Sequence, residues 1–444
     1  MINSLRNTFN LPESPILAIV GSGGKTSLLF RLAKEYSPLV ILSNTAHLGM
    51  SQGENADKVF QVSTSQEIDR IITSEFKGIL LITGMPDKKE RYTGLDEMMI
   101  SHLIKICKEK GIPLLIEADG CRGKPLKAPA PWEPPIPQEV EQVIVCIGAN
   151  GFGKELSEEW VYRVDDFANL SHTALGDPIS PETIFQVIVH PFGGQKNIPQ
   201  NARRYLLINQ ADQPDQQEFG GEIAIRSITA YEKCVIASLN GIDFTKPVQI
   251  HRVYSPVAGV ILAAGESRRF GSPKLLLQLD GEPLIRRITK VALQGCLKPV
   301  SIILGAYPEV SKVVSDLNVN VIENRFWRLG QSSSVKIAME TLSNSVDAVI
   351  FLLGDQPFIT PNILQKLVHA FSISRAPIIA PVVNGQRTNP VLFSRETFSS
   401  LKGITGDTGG RQLFQKFPVE LIPWDDEKLL IDIDTIEDLS KLDN

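Results

Sequence analysis

Short apolar runs separated by helix-like segments recur along the whole chain, and this alternation is what most constrains the fold. In the first half the runs are ILAIV (16–20), PLVILS (38–43), GILLITG (78–84), IPLLIEAD (112–119), QVIVCIGA (142–149), YLLINQAD (205–212) and CVIAS (234–238). In the second half they are AGVILAAG (258–265), PVSIILGA (299–306), NVNVIEN (318–324), DAVIFLLGD (347–355), PIIAPVV (377–383) and KLLIDID (428–434). Such runs are typical of strands buried on both faces of a parallel sheet. The chain is therefore predicted to be an α/β protein with two Rossmann-like, doubly wound domains.

The segment 239–257 interrupts this alternation, because it carries turn residues and two prolines and has no clear periodicity. We place the domain boundary there and predict domains at 1–240 and 257–444. A second irregular segment, 121–140, is rich in proline, which excludes a regular helix or a central strand. Long loops inside compact domains tend to be functional, so this segment is expected to contribute to a site.

Composition excludes several classes of protein. The 444 residues are 43% hydrophobic and carry a net charge of −5, with no basic stretch of the kind that binds nucleic acid. The N-terminus lacks the apolar core of a signal peptide, and no apolar run approaches the ~18 residues that span a bilayer. Five cysteines without C-x-x-C spacing suit a reducing compartment. We expect a cytoplasmic protein without nucleic-acid or membrane partners.

The first candidate site is the loop Gly21-Ser-Gly-Gly-Lys-Thr26, which follows a predicted strand and opens a predicted helix. That is the setting of a phosphate-binding loop, in which Gly21, Gly23 and Gly24 let the backbone approach a phosphate, and Lys25 and Thr26 begin the helix. A lysine there opposes the helix dipole unless an anion is bound. The loop is predicted to bind ATP or GTP. The alternative is a tight glycine turn with an exposed lysine.

Acidic residues at a later strand end supply a candidate metal ligand for this loop. Glu117-Ala-Asp119 closes the run LLIEAD, and Asp119 is predicted to hold Mg²⁺ in the manner of a Walker B carboxylate. His47 and Cys121 are interpreted as a loop histidine with ordinary hydrogen bonds and as a small buried thiol.

The second candidate site begins with the loop Leu262-Ala-Ala-Gly-Glu-Ser-Arg-Arg-Phe-Gly-Ser-Pro-Lys274. Its backbone N–H groups can approach a triphosphate, and Arg268 and Lys274 place positive charge where an α-phosphate gains charge in the transition state. A glycine turn with a solvated basic patch is the alternative.

Carboxylates at two further strand ends supply candidate ligands for Mg²⁺ at this loop. Asp355 ends the apolar run VIFLLGD. Asp432 and Asp434 would share one face of a strand, and at least one of them is predicted to complete the metal site. A helix-cap neighbour is the alternative for Asp434.

A family resemblance rests on several motifs of the second half. LAAGESRRFG, GQSSSVK (330–336), GDQP (354–357), RTNPVLF (387–393), GDTGGR (406–411) and IDIDTIEDL (431–439) occur in this order. Over residues 258–442 the chain resembles the molybdenum cofactor cytidylyltransferases of the MobA-like nucleotidyltransferase superfamily. The resemblance implies transfer of CMP from CTP to the molybdopterin cofactor with release of pyrophosphate. One departure is Arg387-Thr-Asn-Pro, where relatives usually carry Gly second.

The resemblance also implies a role for each matching residue. Contacts to the base and ribose are implied for Leu262, Ala263, Ala264 and Gly265; contacts to the triphosphate for Arg268 and Lys274; proximity to the base or cofactor for Ser332 and Ser334; and Mg²⁺ binding for Asp355 with Asp432 or Asp434. The second alanine of LAAG resembles CTP-using members, whereas GTP-using relatives carry Gly-Gly.

The first half carries a second resemblance, over about residues 11–240. VGSGGKTSLLFRLAKE, SNTAHLG and EADGCRGKPLKAPAPWEPPIP make it similar to the selenium-dependent hydroxylase accessory proteins of the YqeC family. Molybdenum hydroxylases use the cytosine dinucleotide cofactor, so both halves imply one maturation pathway, with a hydroxylase apoprotein as a candidate partner. The alternatives are a nucleotidyltransferase that uses GTP or another phosphorylated acceptor, such as a sugar or polyol phosphate, and a non-catalytic cofactor carrier.

Overall fold

The structure is a computed structural model that describes residues 4–72, 76–266, 270, 273–343, 345–406 and 409–433. The chain divides into two compact units, Met1–Val253 and Tyr254–Asn444. The change of unit falls inside the segment 239–257 that interrupts the sequence pattern. Within the described ranges, no helix has both the length and the apolar composition needed to span a membrane.

The first unit alternates strands and helices from its start. Its strands are β1 Ile16–Gly21, β2 Leu39–Asn44, β3 Leu48–Gly49, β4 Lys58–Gln61, β5 Gly78–Thr83, β6 Arg91–Tyr92, β7 Leu114–Glu117, β8 Leu126–Lys127, β9 Gln142–Gly148, β10 Val161–Tyr162, β11 Arg203–Asn209, β12 Lys233–Ser238 and β13 Gln249–Tyr254. Its helices are α1 Leu5–Thr8, α2 Lys25–Ala33, α3 Met50–Gly53, α4 Ser65–Ile72, α5 Glu97–Lys110, α6 Val164–Ser171, α7 Pro181–Val189 and α8 Pro214–Ser227.

Nine of these strands form one sheet in the order β13-β12-β11-β9-β1-β7-β2-β5-β4. The pairs from β12 to β4 are parallel, as the continuous apolar runs predict. Leu17 and Ile19 of β1 pack with Leu28 and Leu32 of α2 in a buried cluster. Central strand β1 lies between β7 and β9, so the loop after β1 emerges at an inner carboxyl edge, where ligands of open α/β sheets bind.

The second unit has a mixed sheet. Its strands are β14 Val257–Ala263, β15 Gln278–Leu279, β16 Glu282–Pro283, β17 Val300–Leu304, β18 Asn320–Glu323, β19 Ala348–Leu353, β20 Ile378–Val383, β21 Gln386–Arg387, β22 Val391–Ser394 and β23 Val419–Pro423. Its helices are α9 Leu284–Gln294, α10 Gln331–Thr341, α11 Pro361–Ser374 and α12 Phe398–Lys402.

The sheet of the second unit runs in the order β18-β17-β14-β19-β22-β20-β21, and β23 pairs with β20. Strands β18, β17, β14 and β19 are parallel, whereas β22 is antiparallel to both β19 and β20. Strand β14 is again flanked by parallel neighbours, so its carboxyl end and that of β19 open at the same edge. Together the two units confirm the predicted α/β fold class.

One predicted strand is wrong. The run KLLIDID was expected to be a strand, but Glu427–Leu430 form a 3₁₀ helix and residues 431–433 continue without strand pairing. The side chain of Asp426 accepts a hydrogen bond from the N–H of Lys428 at 3.0 Å, and this local cap favours the turn. The argument that Asp432 and Asp434 share one face of a strand therefore does not apply.

Candidate functional site

The second unit has a cavity of about 530 Å³ at the carboxyl ends of β14 and β19. Most of the predicted nucleotide-site residues line it: Leu262, Ala263, Ala264, Gly265, Lys274, Ser334 and Asp355. Ser332 lies outside the lining, is buried, and its N–H donates to the carbonyl of Gly406 at 3.1 Å. Arg268 and Asp434 lie outside the described residues.

The loop after β14 is held by close backbone packing. A Cβ atom on Gly305 would lie 2.6 Å from the carbonyl oxygen of Ala264, so only glycine fits there. That carbonyl accepts the N–H of Ala306 at 3.2 Å, and the hydroxyl of Tyr307 donates to the carbonyl of Glu266 at 2.9 Å. The segment after β17 therefore fixes the path of the loop along the cavity wall.

Lys274 and Asp355 meet inside this cavity. The Nζ atom of Lys274 donates to Oδ2 of Asp355 at 2.8 Å, and the lysine is 9% exposed. The N–H of Ile433 donates to the carbonyl of Asp355 at 3.1 Å, which brings the segment of Asp432 beside it. The carboxylate of Asp432 accepts from the side-chain amide of Gln356 at 2.7 Å. Two segments far apart in sequence therefore converge on the end of β19.

The first turn of α10 forms another wall, since Gly330, Gln331 and Ser334 line the cavity. A helix N-terminus carries partial positive charge, which favours phosphate groups, while the N–H groups of Ser332 and Ser333 here donate to the carbonyls of Gly406 and Gly330, each at 3.1 Å. The turn is anchored by Asn324, a fully buried residue at the end of β18 that sequence reasoning missed. Its side-chain amide donates to the hydroxyls of Ser333 at 2.8 Å and Ser334 at 2.9 Å. The only hint in the sequence was its position at the end of an apolar run.

The cavity offers a modest set of metal ligands. Glu266 and Asp355 are the carboxylates among its described lining residues. Over the described ranges, no group of three or more His, Cys, Asp or Glu side chains is placed to hold a metal. Mg²⁺ commonly uses one or two carboxylates, keeps several waters and shares the phosphates of its nucleotide. The donor set therefore fits a magnesium ion that arrives with a triphosphate.

The first unit contains the loop Gly21–Thr26 between β1 and α2. Three of its N–H groups bind within the protein: Gly21 donates to Oδ2 of Asp119 at 3.0 Å, Ser22 to the carbonyl of Cys146 at 2.8 Å, and Gly23 to the carbonyl of Lys124 at 3.4 Å. The next four, from Gly24 to Ser27, have no acceptor among the described residues. These four donors at the N-terminus of α2 line a cavity of about 520 Å³.

Packing alone explains two of the glycines. A Cβ atom on Gly21 would lie 2.2 Å from the carbonyl oxygen of Cys146, and one on Gly23 would lie 2.2 Å from the nitrogen of Gly148. Both residues also have positive φ angles, 95° and 69°. Gly21 and Gly23 therefore serve the contact between the loop and β9, and the open donors begin at Gly24.

Lys25 is held beneath the loop. Its Nζ atom donates to the carbonyl of Gly21 at 2.8 Å and lies 3.3 Å from Oδ1 of Asp119. Burial works against the charged form, but Asp119 and Glu117 outweigh it and raise the pKa of Lys25 above its usual value. Asp119 is 2% exposed and also accepts from Nζ of Lys127 at 2.8 Å. Its carboxylate is therefore surrounded by protein cations.

Glu117 occupies a different position from Asp119. It lines the open cavity and accepts a hydrogen bond from the hydroxyl of Thr26 at 2.9 Å. Burial raises the pKa of Glu117 despite the nearby charge of Lys25. A threonine at the start of the helix and a carboxylate in contact with it are the pair through which phosphate-binding loops hold Mg²⁺.

An alternating chain of charges anchors the proline-rich segment to this loop. Lys127, which pairs with Asp119, also donates to Oε2 of Glu133 at 3.0 Å. Arg163 donates to both carboxylate oxygens of Glu133, at 2.6 and 3.1 Å. Burial opposes charge on Glu133, but the bonds from Arg163 and Lys127 lower its pKa from 4.5 to about 2. These contacts join distant segments, so spacing along the sequence could not reveal them.

Glu133→Gln should lower the free energy of unfolding by about 2–3 kcal/mol at pH 7, because two cations lose a buried partner. The folded pKa of Glu133 lies below the unfolded one, so its stabilisation is present above the unfolded pKa of about 4.5 and declines as the pH falls towards 2. Urea denaturation at pH 7 and pH 3 should show the larger difference at pH 7. Glu139→Gln, at an exposed position in the same segment, should leave stability unchanged at both values.

Two family models match the chain. The model described as MobA-like NTP transferase domain matches residues 259–421, and the model described as YqeC protein matches residues 17–165. Uncharacterized protein YqeC of Escherichia coli strain K12 is 31% identical over 45% of this chain and 77% of its own length. The chain belongs to the YqeC family and carries a MobA-like NTP transferase domain.

The MobA-like domain has relatives with more specific names. Purine catabolism protein PucB of Bacillus subtilis strain 168 is 30% identical over 40% of this chain and 92% of its own length. Molybdenum cofactor cytidylyltransferase of Escherichia coli strain K12 is 25% identical over 41% of this chain and 94% of its own length. The two matched families confirm both resemblances found in the sequence, and the second unit is a nucleotidyltransferase domain.

Proposed function

We propose that the MobA-like domain transfers CMP from CTP to the molybdopterin cofactor and releases pyrophosphate. The observation that carries the proposal is the Lys274–Asp355 pair, which lies in a cavity of about 530 Å³ beside the first turn of α10. A buried cation, a carboxylate and a helix N-terminus are the groups that phosphoryl and nucleotidyl transfer require. The relative named as a cytidylyltransferase supports the choice of reaction.

The reaction needs no nucleophile from the protein. A terminal phosphate oxygen of the acceptor forms a bond to the α-phosphorus, the bond from that phosphorus to the bridging oxygen breaks, and pyrophosphate leaves with the electron pair. Lys274 stabilises negative charge that grows on the α-phosphate, and Arg268 is proposed to assist it. Asp355 and Glu266 would hold Mg²⁺, which neutralises the triphosphate, and Asp432 or Asp434 remains the sequence-based proposal for a further ligand.

The base is proposed to lie along the loop of Leu262, Ala263, Ala264 and Gly265. Ala264 is 7% exposed, and its Cβ atom faces Gly305, on which an added Cβ atom would lie 2.8 Å away, so its methyl group packs against the segment after β17. The support for CTP over GTP is the second alanine of LAAG, which resembles the CTP-using members of the family.

Pyrophosphate release tests the proposal. Incubation of the protein with Mg²⁺, CTP and molybdopterin should release pyrophosphate, and CTP should exceed GTP by at least about tenfold in kcat/KM. Lys274→Ala should reduce the rate while the protein stays folded. Release with GTP alone would contradict the choice of nucleotide, and release with a sugar or polyol phosphate in place of molybdopterin would contradict the acceptor.

We also propose that the YqeC domain binds ATP or GTP through Gly24, Lys25 and Thr26, as an accessory step in molybdenum hydroxylase maturation. The support is the row of four open N–H groups at the start of α2, next to the Thr26–Glu117 contact, in a cavity of about 520 Å³. Glu117 is proposed as the carboxylate that holds Mg²⁺. Asp119, the ligand predicted from the sequence, lies between Lys25 and Lys127.

A further inference from the structure

The cavity in front of α2 extends along the sheet, away from the phosphate-binding loop. Strands β7, β2 and β5 follow β1 in that order on one side, and all are parallel to it. The segment after each of them adds one basic side chain to the cavity lining: Arg122 after β7, His47 after β2 and Arg91 after β5. These three residues form a basic row. Since neighbouring strands lie about 4.8 Å apart, the strands from β1 to β5 span roughly 14 Å.

Arg122 lies at the tip of a tight turn that is fixed against the phosphate-binding loop. Arg122 and Gly123 both have positive φ angles, 49° and 75°. The N–H of Lys124 closes the turn by donating to the carbonyl of Cys121 at 3.0 Å, and the carbonyl of Lys124 accepts the N–H of Gly23 at 3.4 Å. A left-handed conformation is uncommon for arginine, and such strained residues cluster at functional sites. The turn therefore holds Arg122 at the edge of the cavity.

The guanidinium of Arg122 has neither a carboxylate nor a hydrogen-bond acceptor in the part of the chain that the structure describes. It contacts the ring of Tyr162, whose centroid lies 5.1 Å from its Cζ atom, and Tyr162 also lines the cavity. Stacking on a ring fixes the plane of a guanidinium and leaves its N–H groups open to an anion. Arg122 is therefore held in place with its donors available.

Arg91 and His47 are held by one carboxylate outside the lining. The Nε and Nη2 atoms of Arg91 donate to Oδ2 of Asp87 at 3.0 and 2.6 Å, whereas its Nη1 atom has no acceptor among the described residues. The Nε2 atom of His47 lies 3.7 Å from the same oxygen. Asp87 thus orients both side chains, and the Nη1 edge of Arg91 remains open to a ligand.

A single triphosphate does not need this row. The terminal phosphate proposed for the loop already has the open N–H groups from Gly24 to Ser27, and the Thr26–Glu117 contact lies next to them. A nucleotide base is also poorly suited to the row, because the ring of Tyr162 already contacts the guanidinium groups of Arg122 and Arg163. Guanidinium groups match the paired oxygens of a phosphate. The row therefore suits a second anion.

We infer that the basic row binds the phosphate group of a second small molecule, free or as a monoester, beside the terminal phosphate of the nucleotide. The inference rests on the proposed binding of ATP or GTP by the YqeC domain and adds a co-substrate. Arg122 and Arg91 donate to the oxygens of its phosphate, and His47 lies on the segment of the strand between theirs. The YqeC domain therefore takes two substrates and is not a nucleotide switch alone.

The test measures phosphate binding while the phosphate-binding loop is occupied. The full chain is saturated with Mg²⁺ and a non-hydrolysable analogue of ATP or GTP, which fills the position of the terminal phosphate. Equilibrium dialysis with radioactive inorganic phosphate then reports the second site. Arg122→Gln should raise the dissociation constant of phosphate about tenfold, because charge-assisted hydrogen bonds are lost. The dissociation constant of the analogue should change less than about twofold.

Lys89→Gln is the matched control. It also removes one positive charge, from the segment that carries Arg91, but Lys89 is exposed and lies outside the cavity lining. Its dissociation constant for phosphate should stay within about twofold of that of the unmodified protein. The nucleotidyltransferase domain is the same in every variant, so phosphate bound there contributes equally to each measurement.

Three results would overturn the inference: equal phosphate binding by the two variants, no phosphate binding once the analogue saturates the protein, or equal weakening of phosphate and analogue in Arg122→Gln. Displacement of phosphate by acetate at equal concentration would overturn the chemical class. Displacement by phenyl phosphate would identify a monoester as the ligand, and its failure to compete would identify free phosphate. If neither analogue binds but phosphate binding still depends on Arg122, nucleotide binding is refuted and the basic row stands as a phosphate site.

Discussion

Asp355→Asn is expected to reduce nucleotidyl transfer by about 10³-fold, while the protein stays folded and still binds its acceptor. Asparagine keeps the shape of the side chain but removes the charge that lies 2.8 Å from Nζ of Lys274. Without that charge the cavity retains Glu266 as the single described lining carboxylate, which weakens any hold on Mg²⁺. The measurement is pyrophosphate release at saturating CTP and Mg²⁺, with calorimetry of molybdopterin as a separate measurement of acceptor binding.

Asp280→Asn is the matched control for this variant. It also removes one negative charge, and its side chain is 75% exposed and pairs with Arg287 on the surface of the same unit. The rate of pyrophosphate release by Asp280→Asn should stay within about twofold of that of the unmodified protein, because surface ion pairs contribute little to stability. If the unmodified protein binds molybdopterin and CTP yet releases no pyrophosphate, the domain is a cofactor carrier, and Asp355→Asn has no transfer activity to reduce.

The sequence predicted the central strands well because those strands are buried on both faces. Every apolar run of the first half became a strand of the large parallel sheet. The strands it missed there, β4 and β13, lie at the two edges of that sheet and carry exposed polar residues, so their composition resembles that of a loop. The run KLLIDID was wrongly predicted to be a strand because its composition resembles that of a buried strand. Its first residues instead belong to a capped 3₁₀ turn, and the described residues that follow have no strand partner.

The candidate sites were predictable in position but less so in detail. Ligands of open α/β sheets bind at the carboxyl edge, and this rule led to the loops that follow β1 and β14 and to Asp355 after β19. The direction in which each side chain points could not be predicted from the sequence, because it depends on contacts with residues that are distant in the chain. Asn324 anchors α10, and Glu133 anchors the proline-rich segment, through partners that the fold alone brings together.

Glu117 and Asp119 are two residues apart, and their different contacts also could not be predicted from the sequence. Period-2 alternation would place both carboxylates on one face, but β7 ends at Glu117 and the chain then turns beneath the glycine loop. Asp119 consequently accepts the N–H of Gly21 and pairs with Lys25 and Lys127, whereas Glu117 lines the cavity with Thr26. The two carboxylates should therefore respond differently to substitution.

Glu117→Gln should abolish the effect of Mg²⁺ on nucleotide binding by the YqeC domain. Calorimetry with non-hydrolysable analogues of ATP and GTP should show a dissociation constant about 10–100-fold weaker than that of the unmodified protein in Mg²⁺, and equal to its value in EDTA. Lys25→Ala should weaken binding with or without Mg²⁺, because it removes a positive charge from the lining of the cavity and leaves the charge of Asp119 there with one cation fewer.

Asp119→Asn is the matched comparison, since it also replaces a buried carboxylate by its amide two residues away. It should lower stability, because Lys25 and Lys127 lose their shared partner, while binding stays dependent on Mg²⁺. The opposite pattern, with Mg²⁺ dependence lost in Asp119→Asn and kept in Glu117→Gln, would make Asp119 the metal ligand that the sequence predicts. It would also require Lys25 to move away from Asp119 when a phosphate binds, because the two ammonium groups beside that carboxylate otherwise repel a cation.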